Sequence, residues 1–276
     1  MKIELASSYG FCFGVKRAID IAEHNPNAST MGEIIHNQKE IERLKTDYNV
    51  GLYKSLDDVK ENDTIVIRTH GIPKNDLKTL KEKNVKVINA TCPFVTAPQQ
   101  ICKKMSKEGY SIVIFGDINH PEVKGVMSYA DDVKVVLEPH ELLNTNFKND
   151  KIAVVAQTTR KKENYNKIIN FLVPRYKEIR VFNTICDATF ENQDSARELS
   201  KKADIMIIIG GKNSSNTKQL FYIAKENCND SYHIESCDDL EKEWFIDKQF
   251  CGITAGASTP EWIISKVIEK IKEFNN

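Results

Sequence analysis

The chain has no excess of charge of either sign: 39 Lys and Arg stand against 39 Asp and Glu, for a formal net charge of zero. The basic surplus that marks most nucleic-acid-binding and membrane-surface proteins is missing. Long hydrophobic runs are missing too. Met1-Lys2-Ile3-Glu4 opens the chain without the apolar stretch of a secretory signal. The longest apolar runs, such as Ile205-Met206-Ile207-Ile208-Ile209, are strand-sized and too short to span a bilayer. There is no Cys-x-x-Cys pair, and seven cysteines spread over 276 residues do not make the dense, even set of a small secreted disulfide scaffold. No nicotinamide or flavin fingerprint occurs. What remains is ordinary globular composition, 41% hydrophobic and 28% charged, in a chain long enough for one large core or several small ones. The expectation is a soluble, cytoplasmic protein with neither nucleic acid nor membrane as partner.

Short apolar runs alternate with helical patterns along almost the whole chain. Strands are expected over Lys2–Ala6, Thr64–Arg68, Lys86–Asn89, Ser111–Phe115, Ile152–Ala156, Arg180–Asn183, Ile205–Ile209 and Gln249–Thr254. Between them lie helix-like segments such as Val15–Glu23, Asn37–Leu44, Thr96–Lys107, Asn192–Lys202 and Asn216–Lys225. Continuous apolar strands separated by helices indicate mostly parallel sheets covered on both faces, and so the α/β class.

Self-comparison reveals a repeat. Val87-Ile88-Asn89-Ala90-Thr91-Cys92 lines up with Val181-Phe182-Asn183-Thr184-Ile185-Cys186, and each cysteine is followed, 24 residues on, by a glycine, Gly116 or Gly210. His120 and Glu122 in one copy stand where Ser214 and Asn216 stand in the other. With one short deletion Cys12 joins them, leading to Gly32 and then His36. Each copy also has a later strand with a polar tip: Arg68-Thr69-His70-Gly71, Gln157-Thr158-Thr159 and Thr254-Ala255-Gly256-Ala257-Ser258. The reading is three related α/β lobes, 13–92, 93–186 and 187–276, with the strand in 1–12 contributing near the centre. In α/β sheets ligands bind beyond the carboxyl ends of strands. Three such lobes about a pseudo-threefold axis would aim Cys12, Cys92 and Cys186 at one centre ringed by the polar tips.

Each feature has a plainer explanation. Tyr9-Gly10-Phe11-Cys12-Phe13-Gly14 is also a tight turn with a buried thiol, and Cys92-Pro93 is also helix punctuation. Free cysteine is among the most buried residue types, and Cys102, Cys228, Cys237 and Cys251, which do not repeat, read as quiet structural residues. The repeat is what favours ligation by the other three. Structural zinc is usually closed by four ligands, and iron–sulfur clusters usually take four cysteines. Three thiolates therefore suggest a cluster with one open iron, while three Cys plus one of His36, His70 or His120 on zinc stays open as an alternative. His24, His140 and His233 lack such a setting and read as surface residues. Gly210-Gly211-Lys212-Asn213-Ser214-Ser215-Asn216 opens a helix and suits a phosphate, although it lacks the Gly-Lys-Ser/Thr ending of a P-loop. Thr259 as N-cap with Pro260 at the first helical position leaves Ser258 to face a ligand.

Taken together, Tyr9–Val15, Arg68–Gly71, Ala90–Pro93, His120-Pro121-Glu122-Val123, Gln157–Thr159, Gly210–Asn216 and Thr254–Ser258 resemble the 4-hydroxy-3-methylbut-2-enyl diphosphate reductase family, also called IspH or LytB. The resemblance covers essentially the whole chain and points to a form without the RNA-binding repeats that some relatives append. It implies the last step of the non-mevalonate isoprenoid pathway, in which an allylic hydroxyl is removed reductively to give isopentenyl and dimethylallyl diphosphate. It further implies one 4Fe-4S cluster held by Cys12, Cys92 and Cys186 with one open iron, and Glu122 as proton donor. His36, His70, His120, Ser214, Ser215, Asn216 and Ser258 correspond to the diphosphate pocket, and Thr158, rather than the adjacent Thr159, to the threonine near the substrate hydroxyl. Reduced ferredoxin or flavodoxin is the implied electron donor. A zinc-dependent hydrolase of a phosphorylated small molecule is the competing reading. If the pocket histidines titrate near their unperturbed pKa of about 6.5, substrate affinity is expected to weaken as pH rises through that range.

Overall fold

The structure, a computed structural model, describes residues 1–274. Its strands are β1 (Lys2–Leu5), β2 (Ser29–Met31), β3 (Gly51–Tyr53), β4 (Thr64–Ile67), β5 (Lys86–Asn89), β6 (Ser111–Phe115), β7 (Val133–Val136), β8 (Lys151–Ala156), β9 (Glu178–Val181), β10 (Ile205–Ile209), β11 (Ser231–Ile234) and β12 (Phe250–Ala255). Its α-helices are α1 (Phe13–Glu23), α2 (Gln38–Tyr48), α3 (Lys74–Glu82), α4 (Pro93–Lys107), α5 (Pro121–Met127), α6 (Lys162–Leu172), α7 (Asp187–Ser200), α8 (Ser215–Lys225) and α9 (Glu261–Phe274).

The strands form three four-stranded sheets, in the orders β1-β12-β10-β11, β5-β4-β2-β3 and β9-β8-β6-β7. Every pairing is parallel. The three orders are one pattern. An edge strand that leads to Cys12, Cys92 or Cys186 lies beside the strand that carries the polar tip. That strand lies beside one followed directly by glycine, and an outer edge strand closes the sheet. Gly32, Gly116 and Gly210 each donate their N–H to the last residue of the outer strand, Tyr53, Val136 and Ile234, always at 2.9 Å. The repeat read from the sequence is thus a repeat of hydrogen-bond register.

The chain divides into two compact units, one of Met1–Lys16, Ile35–Asp47 and Asp187–Asn276, the other of Arg17–Ile34 and Tyr48–Cys186. The first holds the sheet of β10 and β12. Ile205, Ile207 and Ile209 of β10 pack with Ile263, Ile264, Val267 and Ile271 of α9, while Met206 and Ile208 pack with Ala196 and Leu199 of α7 and Leu220 and Ala224 of α8. Alternate side chains of one strand are thereby buried on opposite faces, which is why β10 reads as an unbroken apolar run. Each such isoleucine, fully buried, is worth about 1.5–3 kcal/mol. The second unit holds the other two sheets. In one, Ile112, Ile114, Ala153 and Val155 pack with Cys102 and Met105 of α4 and Val123 and Val126 of α5. In the other, Met31, Ile65 and Ile67 pack with Leu80 of α3.

Candidate active site

Each of the three repeated cysteines is the residue immediately before a helix: Cys12 before α1, Cys92 before α4 and Cys186 before α7. The backbone N–H of each donates to a carbonyl two residues beyond the end of the neighbouring tip strand. Cys12 bonds Ala257 at 3.2 Å, Cys92 bonds Thr69 at 3.0 Å and Cys186 bonds Thr158 at 2.9 Å. The same anchoring, made three times, fixes where each cysteine's backbone lies against the tip of its own sheet. None of the three is in a disulfide, and all three are half-buried. Arg17 adds a further hold on one of them, donating from its guanidinium to the carbonyls of Asn89 and Thr91 just ahead of Cys92.

The four unrepeated cysteines differ. Cys102, Cys228 and Cys251 are buried in helix or sheet packing, and burial pushes the Cys102 and Cys251 thiols up to about 12. They remain neutral packing groups.

In the first unit, the turn after β10 and the tip after β12 lie against each other and bring a set of polar side chains together. Ser214 caps α8, its Oγ accepting from the Thr217 N–H at 3.2 Å. Ser215 begins that helix and is half-buried. Asn216 is only 5% exposed, and neither its Oδ1 nor its Nδ2 finds a hydrogen-bond partner among the described residues. The buried hydroxyls of Thr217 and Thr254 are also unmatched. Leaving an amide so buried without partners costs roughly 1–3 kcal/mol per polar group, so this cluster is built for a polar ligand. Gly256 lets the backbone pass close: a Cβ there would lie 2.1 Å from Thr217 Oγ1. Ser258 is buried and donates from Oγ to the His36 carbonyl at 3.3 Å, so His36 and Ser258 lie side by side. Thr259, assigned in the sequence to capping, donates instead to the Ile209 carbonyl at 3.0 Å, tying α9's start to the end of β10.

In the second unit, His70 and His120 meet edge to face, ring centroids 5.4 Å apart. His120 caps α5, its Nδ1 accepting from the Glu122 N–H at 3.2 Å, which places the proton of the neutral ring on Nε2. Glu122 is 2% exposed. Thr158 grips its carboxylate twice, the backbone N–H on Oε1 at 2.7 Å and the hydroxyl on Oε2 at 2.8 Å. Burial raises the Glu122 pKa from 4.5 to about 6, against the lowering by the two Thr158 bonds and the nearby Arg160. It is Thr158, and not Thr159, that reaches Glu122. The same Thr158 carbonyl anchors Cys186, so the acid and one cysteine hang on a single residue.

Two residues enter that the sequence does not mark as functional. His233, read as a surface residue, is half-buried on β11, and its Nε2–H donates to the Gly210 carbonyl at 2.9 Å, bracing the glycine turn. Its charge is disfavoured, chiefly by burial. Arg160, two residues past Thr158, is held by Gln157 Oε1 at 3.1 Å and supplies positive charge near Glu122. His24 and His140 are not buried, in keeping with the surface reading.

A three-sheet, all-parallel α/β protein with one cysteine anchored at a tip of each sheet is a narrow class. The family model described as "LytB protein" matches residues 3–272, and the chain belongs to that family. The 4-hydroxy-3-methylbut-2-enyl diphosphate reductase of a Nitratiruptor species is 68% identical over 274 residues, 99% of both chains. That of Sulfurimonas denitrificans is 64% identical over 273 residues, again 99% of both. Among solved structures, an (E)-4-hydroxy-3-methyl-but-2-enyl diphosphate reductase described as the terminal enzyme of the non-mevalonate pathway matches with TM-score 0.76 and 42% identity, over 98% of this chain and 99% of its own. The E-1-hydroxy-2-methyl-but-2-enyl-4-diphosphate reductase from Plasmodium falciparum matches with TM-score 0.89 and 27% identity, over 97% of this chain and 86% of its own. These relatives bear the name of a reductase, and the zinc-dependent hydrolase reading is set aside. No helix among the described residues is long and apolar enough to cross a membrane.

Proposed function

We propose that the chain reduces 4-hydroxy-3-methylbut-2-enyl diphosphate to isopentenyl and dimethylallyl diphosphate, as the last enzyme of the non-mevalonate pathway. The allylic C–O bond breaks, two electrons and two protons are taken up, and the oxygen leaves as water. Cys12, Cys92 and Cys186 hold a 4Fe-4S cluster with one open iron. When bound, the cluster supplies a Lewis acid for the hydroxyl and a route for electrons, one at a time, from reduced ferredoxin or flavodoxin. The threefold register of the cysteines carries this reading. Three half-buried cysteines at helix starts, each backbone fixed by the same bond, suit a ligand set, and among the described residues none of the four other cysteines makes that bond to a sheet tip.

The chain's own residues do the rest. Ser214, Ser215, Asn216, Ser258 and the histidines His36, His70 and His120 bind the diphosphate through neutral donors and imidazoles. Glu122 is the proton donor, and Thr158 orients its buried carboxyl and stands next to the substrate hydroxyl. The protein works in the cytoplasm.

Anaerobic purification with iron and sulfide analysis, followed by substrate turnover with a reduced donor, tests the reading. A colourless protein holding stoichiometric zinc would overturn it. Asn216→Ala is expected to raise KM about 10–100-fold, since hydrogen bonds to charged groups are worth about 1.5–3 kcal/mol, and to change kcat little. Unchanged KM would remove Asn216 from the diphosphate site.

A further inference from the structure

Glu40 is 0% exposed, and nothing in the reaction just described uses it. It lies in the first turn of α2, three residues after Asn37, whose Oδ1 caps that turn by accepting from the Glu40 N–H at 3.1 Å. Its carboxylate takes a two-pronged grip from Arg43, Nε on Oε2 at 3.0 Å and Nη2 on Oε1 at 2.6 Å. A third donor comes from far along the chain: the Trp262 indole N–H, in the first turn of α9, donates to Oε2 at 2.8 Å. The Lys266 ammonium lies 5.1 Å from the centre of the Trp262 ring.

The location of this bond gives it meaning. The residue just before Asn37 is His36, and the loop just before α9 carries Ser258. Glu40 and Trp262 therefore join the first turns of the two helices whose approach loops carry these two pocket residues. Two further links run through the same spot. Ser258 Oγ donates to the His36 carbonyl. Gly211 packs its backbone so close to that carbonyl that a Cβ would stand 2.5 Å from it, which also brings the turn leading to Ser214 and Asn216 against His36. The glycine contact and the 3.3 Å hydroxyl bond are local. Among these links, only the Glu40–Trp262 bond ties the helices themselves, and it is part-buried and charge-assisted, hence short and directional.

We propose that Glu40 and Trp262 are positioning residues for the diphosphate: their bond sets the spacing between His36 and Ser258, and so the geometry with which this end of the pocket meets phosphate oxygens. The proposal rests on the placement of the diphosphate at His36, Ser214, Asn216 and Ser258. Losing the clamp lets the two loops drift apart while each keeps its own side chains, so the binding contribution falls and the chemistry, which Glu122 and the cluster perform, does not.

Trp262→Phe removes the indole N–H and keeps most of the ring volume. Glu40→Gln keeps a side-chain carbonyl that can accept from Trp262 and drops the charge. Both, with Asn216→Ala, are made in the full chain, loaded with cluster anaerobically, and compared for KM, kcat, Kd for inorganic pyrophosphate, iron content and thermal midpoint. Trp262→Phe is expected to raise KM and the pyrophosphate Kd about tenfold, with kcat within about twofold and iron content unchanged, and Glu40→Gln is expected to raise both by less. A purely structural role would lower the thermal midpoint and leave KM and Kd where they were. That result in both variants, with Asn216→Ala still weakening binding, overturns the clamp alone. If Asn216→Ala also leaves KM and Kd unchanged, the diphosphate placement falls and the clamp with it.

Discussion

Serine at Cys12, Cys92 or Cys186 is expected to abolish the cluster and turnover together, each substitution alone being sufficient. A cluster on three protein thiolates has no spare ligand, and a serine alkoxide is a far poorer partner for iron than a thiolate. Anaerobically reconstituted wild type should carry about four irons per chain with visible absorption, and each of the three variants little of either. The controls discriminate because their environments differ. Cys237 is half-buried at the surface, so Cys237→Ser should keep iron, sulfide and turnover at wild-type levels. Cys102 and Cys251 are fully buried. A serine hydroxyl there lacks a good partner and should cost about 1–3 kcal/mol in stability, seen as a lower thermal midpoint, with the cluster still present. Equal loss of iron across all of these variants, or equal tolerance, would contradict the assignment of three ligands.

How much of this is legible in the sequence follows from where each element lies in its sheet. β6, β8, β10 and β12 have two hydrogen-bonded neighbours each and helices packed against them, so they appear as apolar runs. The strands that sequence reading passes over are β2, β3, β7 and β11. Three of these, β3, β7 and β11, are the outer edges of their sheets, where one backbone edge has no strand partner and residues such as Lys134 and His233 fit. β2 is internal but only three residues long, Ser29-Thr30-Met31, with too little pattern to register. The sequence pattern places two helix starts late, at Thr96 and Asn192, whereas α4 and α7 begin at Pro93 and Asp187. Cysteine has no oxygen with which to cap, so a capping side chain is missing at the positions where the cysteines stand, and only Pro93 marks one of these helix starts. The proposed site residues stand out in the sequence because motif and repeat both mark them. His233 bracing Gly210 and Trp262 bonding Glu40 are not, since both depend on the register of segments 23 and 222 residues apart.

Glu122→Gln is expected to keep the cluster and bind substrate, yet turn over about 10²–10⁴-fold more slowly, the usual cost of removing a general acid. The amide is the same size and its carbonyl still accepts from Thr158, so the pocket should hold its shape. What it lacks is a transferable proton. Wild type adds a pH signature. With its pKa raised to about 6, chiefly by burial, Glu122 is protonated below that pH and ionised above it. The part of kcat/KM that depends on its proton should therefore fall as pH rises through about 6, and that limb should vanish in Glu122→Gln. Stability moves in the same direction. A carboxyl whose pKa is higher folded than unfolded stabilises the fold fully below 4.5, and that stabilisation is lost as pH rises through about 6. At neutral pH the buried ionised carboxylate costs the native state on the order of 2 kcal/mol, a cost that glutamine does not incur. Denaturant titration at pH 7 should find Glu122→Gln at least as stable as wild type, with the difference shrinking toward pH 4. A variant slow because it is misfolded would be less stable at both values. Near-normal turnover in Glu122→Gln would mean that the proton comes from elsewhere. An unaltered pH limb would mean that another group produces it.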